Sequence, residues 1–246
     1  MFGFGVDQPR VTLGHIGPVP VRLELTFLLV PLFYIGDLTR VATPQSMALV
    51  LLSIAGIFAS ILFHELGHGA VARRYGMHVR ELVVGGFYGY ASIAGIAPTR
   101  RAAIAVLFAG PFANLVLFAW LWGLLGFPEV TWRGDVLYDQ TASTAIYHTP
   151  ILAMAARRLA ELNLVLFALN LLPAFPLDGG RIYRLILSHV MPQADGVRII
   201  SSLGMLVGGY FALSGLQGNM VMGLIGLQVA MLNYAIFQHP AQGEMD

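Results

Sequence analysis

Apolar residues fall into six long runs, at about 20–36, 45–74, 102–126, 151–172, 197–215 and 219–237, with polar residues gathered between them. A helix needs roughly 17–25 such residues to cross the hydrocarbon core of a bilayer. The pattern predicts an all-α polytopic membrane protein with about six transmembrane helices. One connection departs from it. The stretch MHVRELVVGGFYGYASIAG, residues 77–95, is too rich in glycine for a helix and sets Val79, Val83, Val84, Phe87, Tyr88 and Tyr90 in short runs. It predicts a short β-hairpin or re-entrant segment between the second and third spans, at or dipping into the inner interface.

Two runs carry marks of their own. The fourth includes Arg157, Arg158 and Glu161, which suggest an (i, i+3) ion pair on a face turned inward or lying near the interface. The fifth includes Gly204, Gly208 and Gly209, a small-residue pattern suited to close helix packing. The longest polar-tolerant stretch, 127–150, is too short for a folded insert, so residues 1–246 are read as one integral-membrane domain with no appended soluble domain. The N-terminus lacks the basic, apolar and small-residue succession of a removable signal peptide.

Composition narrows the function. Charged residues make up 11% of the chain and hydrophobic ones 57%, against about 25% charged in a soluble domain. A formal net charge of +1 gives nucleic acid no purchase, and the absence of cysteine removes disulfides, thiolate metal sites and a thiol nucleophile. All 14 basic residues are arginine, which excludes lysine chemistry. Their placement sets an orientation: with the N-terminus inside, ten fall on the inner side and Arg40, Arg133, Arg157 and Arg158 on the outer. The expectation is a multi-pass protein of the cell membrane with both termini cytoplasmic.

The second run contains FHELGH, residues 63–68. Residues four apart on a helix share a face, so His64 and His68 can grip one metal ion. Glu65 is turned about 100° away, near enough to take a proton from water activated at that ion. The pattern arises by chance roughly once in two hundred chains of this composition, so it is informative though not decisive. Histidines held by hydrogen bonds in a core would be the plain alternative, but ionisable clusters at bilayer depth mark function. A hydrolytic zinc site needs a third protein ligand. Asp178 lies in LLPAFPLDGG, where Pro173 and Pro176 end a helix and Gly179 and Gly180 permit a tight turn. Counted at 1.5 Å per residue from their outer ends, His64 and the break at Pro173 both lie roughly 27 Å along their spans. The expected site is therefore His64, His68 and Asp178 around one Zn2+ ion, nearer the cytoplasmic face. Such a triad also suits non-haem iron; a glutamate directly after the first histidine favours hydrolysis.

Together, FHELGHGAVARRYG (63–76), AGPFANL (109–115), NLLPAFPLDGGRIYR (170–184) and, more weakly, GPVPVRLELTFLLV (17–30) resemble the site-2 protease family of intramembrane zinc metalloproteases. The resemblance implies that His64, His68 and Asp178 bind zinc and that Glu65 is the catalytic base. It implies that Asn170 lines the site, where it would meet the substrate backbone or the oxyanion, and gives Asn114 a role in packing or in polar contacts nearby. It further implies a peptide bond cut within or near the transmembrane segment of a single-pass, membrane-anchored regulator. A helical substrate hides its carbonyls in its own hydrogen bonds, so the expectation is that it unwinds locally and that the 79–92 hairpin holds the extended strand by edge pairing. The PDZ and CBS domains of many members are absent here, which points to the minimal branch. A zinc transporter and a membrane zinc hydrolase acting on lipid amides are the alternatives; the former would need further ligand sets, yet the other histidines are scattered.

Overall fold

A computed structural model of the chain describes residues 9–34, 43–86, 89–126, 150–215 and 220–241. Four strands and six α-helices follow one another: β1 (Arg10–Ile16), β2 (Val19–Glu24), a 3-10 segment (Leu25–Tyr34), α1 (Pro44–Arg74), β3 (His78–Val84), β4 (Gly89–Ala94), α2 (Arg100–Leu124), α3 (Pro150–Asn170), α4 (Asp178–Leu187), α5 (Gln193–Gly215) and α6 (Met220–Gln238). Among them α1 from Ser46, α2 and α5 are long and apolar enough to cross a membrane.

The chain is mostly helical but not all-α. The expected hairpin is present as β3 and β4, which pair antiparallel from His78 opposite Ala94 to Val84 opposite Gly89; Phe87 and Tyr88 lie outside the described residues. It belongs to a four-stranded sheet ordered β1-β2-β3-β4. β1 and β2 form a second hairpin around Gly17, whose φ of 60° is the left-handed conformation a tight turn requires. β2 then runs parallel to β3, Val21 opposite Leu82.

This sheet corrects the reading of residues 20–36 as a helical span. Val19 and Val21 are buried while Pro20 and Arg22 are less covered, the two-residue alternation of a strand rather than the 3.6-residue period of a helix; it holds as far as Arg22, after which Leu23 is half-buried and Glu24 buried. The apolar run that follows, Leu25–Tyr34, winds as a 3-10 segment with Pro31 inside it. Val30 and Phe27 pack with Val84 against Ile57, Phe58 and Ile61 of α1. Val19, Val21 and Leu82 lie on Phe58, Leu62 and Leu66. The sheet is thus seated on the helix that carries the histidines.

The two longest helices begin at side-chain caps. Thr43 Oγ1 accepts from Ser46 N–H at 3.1 Å while Ser46 Oγ accepts from Thr43 N–H at 3.0 Å, a reciprocal box that starts α1. Thr99 does the same for α2 from one side, accepting from Ala102 N–H at 3.1 Å. Where α1 crosses α2, a Cβ on Gly67 would lie 2.5 Å from Ala109 O, so the residue between Leu66 and His68 sets how closely the two backbones approach. α3 packs on α2 through Ala160, Leu121, Trp122 and Leu125. Its ion pair joins Arg157 Nε to Glu161 Oε1 at 3.1 Å; the (i, i+4) spacing replaces the (i, i+3) pair expected from sequence. α5 and α6 meet through glycines: Gly208 faces Ala230 and Gly226, and Gly215 faces Gly223. Gly209, grouped with these from sequence, has open space beside it.

Candidate metal centre

Two elements distant in sequence, α1 and α4, deliver their polar groups to one point. His64 and His68, a helical turn apart on α1, bring their Nε2 atoms to 3.0 Å, with rings crossed at 79°. Asp178, the first residue of α4, sets Oδ2 at 3.1 Å from His64 Nε2 and 3.3 Å from His68 Nε2. A Glu65 carboxylate oxygen completes a group whose ligand-capable atoms, one from each of His64, Glu65 and His68, lie within 4.8 Å of one another. All four residues are buried.

What lies behind the imidazoles fixes which nitrogen faces inward. His64 Nδ1–H donates to Asn114 Oδ1 at 2.5 Å, and His68 Nδ1–H donates to Val106 O at 2.7 Å. With each Nδ1 protonated, each Nε2 presents a lone pair. Asn114 can act only as acceptor towards His64, because its amide nitrogen is engaged elsewhere: it donates to Asn163 Oδ1 at 2.7 Å and to Ser60 O at 3.3 Å. Asn163 Nδ2 in turn donates to Ser60 Oγ at 2.9 Å and to Leu159 O at 2.8 Å, and Ser60 Oγ–H donates to Gly56 O at 2.8 Å. Ser60, Asn114 and Asn163 have no exposed surface. One proton order thus runs from α3 through α2 to the first histidine of α1. Deleting one member would strand its buried partner, at a cost of about 1–3 kcal/mol per unpaired group.

Does the donor set fit zinc? Two neutral imidazole nitrogens and a carboxylate oxygen are zinc donors by type, and tetrahedral coordination at about 2.0–2.1 Å puts donors roughly 3.3–3.4 Å apart. The three observed separations come within a few tenths of an ångström of that. Three lone pairs pressed this closely together repel one another unless a cation lies between them. Space is reserved as well: a Cβ on Gly110 of α2 would fall 2.2 Å from His68 Nε2 and 2.6 Å from His64 Nε2. The bare glycine leaves room over the nitrogens that any side chain would occupy. The set fits.

The sequence-derived residues fare differently. His64, Glu65, His68 and Asp178 are brought together. Asn170 ends α3 half-buried, its Nδ2 donating to Leu166 O at 2.9 Å in its own helix. Asn114, read from sequence as packing or nearby polar contact, bonds directly to a histidine. Asn163, Ser60 and Gly110 were not singled out. An asparagine in the apolar run ELNLVLF was the available signal for Asn163, since a polar side chain in a membrane helix turns towards protein. Beside Glu65 stands the edge strand: a Cβ on Gly89, where β4 begins, would lie 2.9 Å from Glu65 Oε1.

Comparisons with known proteins give the family. The sequence profile of Peptidase family M50 matches residues 52–156 and 136–213. Zinc metalloprotease MJ0392 of Methanocaldococcus jannaschii is 29% identical over 222 residues, covering 89% of this chain and 58% of that protein. Stage IV sporulation protein FB of Bacillus subtilis is 28% identical over 141 residues, 56% of this chain and 41% of that one. The chain spans about half the length of these curated relatives. The solved site-2 protease from Methanocaldococcus jannaschii superposes with a TM-score of 0.63 at 27% identity, over 93% of this chain and 95% of that one. With three helices among the described residues long and apolar enough to span a bilayer, this is a multi-pass membrane protein. The chain belongs to peptidase family M50, the site-2 proteases.

Proposed function

We propose that the chain is an intramembrane zinc metalloprotease that hydrolyses a peptide bond within or near the transmembrane segment of a membrane-anchored protein. The observation that carries the reading is the meeting of two inward-facing imidazole lone pairs, one carboxylate and a separate glutamate at one buried point beside a strand edge. His64, His68 and Asp178 would hold the ion, and zinc bound there supplies a Lewis acid that polarises a carbonyl and acidifies water. Glu65 accepts the proton of the attacking water and passes it to the departing amine. Asn170 would donate its amide to the developing oxyanion, exchanging its bond to Leu166 O for one to substrate.

An extended peptide is the substrate a strand edge recognises, because its main chain completes the ladder. β4 is an outer strand of the sheet and begins beside Glu65. A substrate strand laid along it brings consecutive carbonyls past the base. A lipid amide or an ion in transit has no use for such an edge. Among the described residues the remaining histidines sit on β1, on β3, at the end of α4 and beyond α6; His148 lies outside those residues. Purified protein in liposomes with a panel of membrane-anchored regulators should cut at least one, and a zinc chelator should stop the cut. Asn170→Ala should lower the rate about 100- to 1,000-fold, the usual cost of an oxyanion donor. Cleavage that survives complete removal of the metal would refute the reading.

The count of six spans, its first now confined to the apolar stretch from Leu25 onward because residues 19–24 form a strand, the single-domain organisation over 1–246 and the inner location of both termini belong to the same proposal and rest on the hydropathy pattern and the arginine asymmetry. A reporter fused after residue 246 should report from the cytoplasm; a signal from the opposite compartment would reverse the orientation and with it the side on which the site opens.

A further inference from the structure

Asp178 reaches the centre from the end of a loop, and what fixes that loop comes from the last helix. Asn233 of α6 is fully buried and grips both polar groups of one residue. Its Oδ1 accepts from Phe175 N–H at 3.1 Å, while its Nδ2 donates to Phe175 O at 2.7 Å and to Val229 O, in its own helix, at 2.8 Å. The bond to Val229 settles which end of the amide is the nitrogen and aims the whole group. Gly204 of α5 provides the space: a Cβ there would stand 2.2 Å from Asn233 Oδ1. The Phe175 ring is buried beside Val197, Ile200 and Ile236, so backbone and side chain are held by the same pair of helices.

The path from this clamp to the aspartate is short and stiff. Leu177 N–H donates to Ala174 O at 3.0 Å, closing the turn just before Asp178. The loop lies directly on the first turn of α4: a Cβ on Gly180 would meet Ala174 O at 2.6 Å and Phe175 N at 3.1 Å, and one on Gly179 would meet Leu172 O at 2.4 Å. Moving Phe175 therefore moves the turn that begins with Asp178. Residue 233 lies beyond the stretch matched by the family profile, which ends at 213.

We propose that Asn233 is a positioning residue for the third zinc ligand, holding the Phe175 peptide so that Asp178 meets the two histidines. The proposal rests on reading Asp178 as a ligand. It gives α5 and α6 a part in building a site whose chemistry lies on α1 and α4.

The test uses the full chain, loaded with Zn2+ for affinity by chelator competition and with Co2+ for its visible ligand-field spectrum. Asn233→Leu keeps the branched shape of the side chain and leaves the Phe175 N–H and C=O without their partners on α6. Gly204→Ala keeps every hydrogen-bonding group but pushes on Asn233 from behind. Both should weaken zinc binding by about 10- to 100-fold, the range seen when a ligand's support is removed, and should shift the Co2+ spectrum towards that of Asp178→Asn. In the Asp178→Asn background Asn233→Leu should cost nothing further, because its effect runs through the missing carboxylate. Equal losses in both backgrounds, or unchanged affinity and spectrum in the single variants, would overturn the proposal. If Asn233→Leu does not fold, Gly204→Ala decides by the same two measurements. Should Asp178→Asn itself bind zinc as tightly as the parent, the ligand assignment fails and the proposal falls with it, an outcome distinct from the others.

Discussion

Glu65→Gln should retain zinc and cleave its substrate about 100- to 10,000-fold more slowly, the range attributed to a positioned general base. The amide has the shape of the carboxylate, so the packing of α1 against β4, where Gly89 leaves room for this side chain, is undisturbed. It is neutral at every working pH and accepts a proton only weakly, which removes the acid–base function while keeping the volume. His64 and His68 are oriented by Asn114 and Val106, not by Glu65, so the metal's affinity should change little. Zinc content by elemental analysis and single-turnover cleavage, measured on one preparation, separate the two effects. Full cleavage with zinc bound would take Glu65 out of the mechanism; loss of the metal would make it a ligand instead of a base.

Gly110→Ala should lower zinc affinity at least about 100-fold, as much as the loss of a ligand's supporting partner or more. One methyl group is added, on a helix where alanine is intrinsically favoured over glycine by about 1 kcal/mol. Propensity thus predicts a slight gain in helix stability, and any loss of metal must come from the site. The methyl carbon would stand inside contact distance of both Nε2 atoms. Either the imidazoles turn away, breaking the bonds to Asn114 Oδ1 and Val106 O, or α2 withdraws from α1 against the close approach at Gly67. Gly209→Ala, with nothing within 4 Å of the added carbon, is the matched control and should bind zinc normally. Equal affinity in the two variants would show that Gly110 reserves no space for the ion.

How much of this was legible beforehand depended on how local the cause was. The histidine pair was readable because its geometry is set within one helical turn. Asp178 was readable because prolines and glycines mark where a chain must bend, and because rise per residue converts sequence into depth. The sheet was only half readable. β3 and β4 are neighbours in sequence, joined by a glycine-rich turn, whereas β2 finds its second partner across the whole of α1. Reading 20–36 as one apolar run also merged the end of the strand, where Val19 and Val21 alternate with Pro20 and Arg22, with the apolar stretch that follows. The asparagines were harder still. Asn163 and Asn170 stand seven residues apart, on nearly the same face of α3, and composition does not distinguish the one that reaches Asn114 from the one that bonds to its own helix. Asn233 carried the same mark of an amide in an apolar run, but its partner is the backbone of Phe175, and a backbone group has no signature in the sequence.

The parallel pairing of β2 with β3 has a consequence for how the protein is made. Some 60 residues separate Val21 from Leu82, so at translation rates of about 5–20 residues per second the first hairpin leaves the ribosome several seconds ahead of the strand that completes it. During that interval one side of β2 is an open ladder, and its mate comes alongside only after α1 and β3 have been made. The nascent chain thus passes through a stage in which two of the four strands wait for the other two, the stage at which a mispaired edge would do most harm.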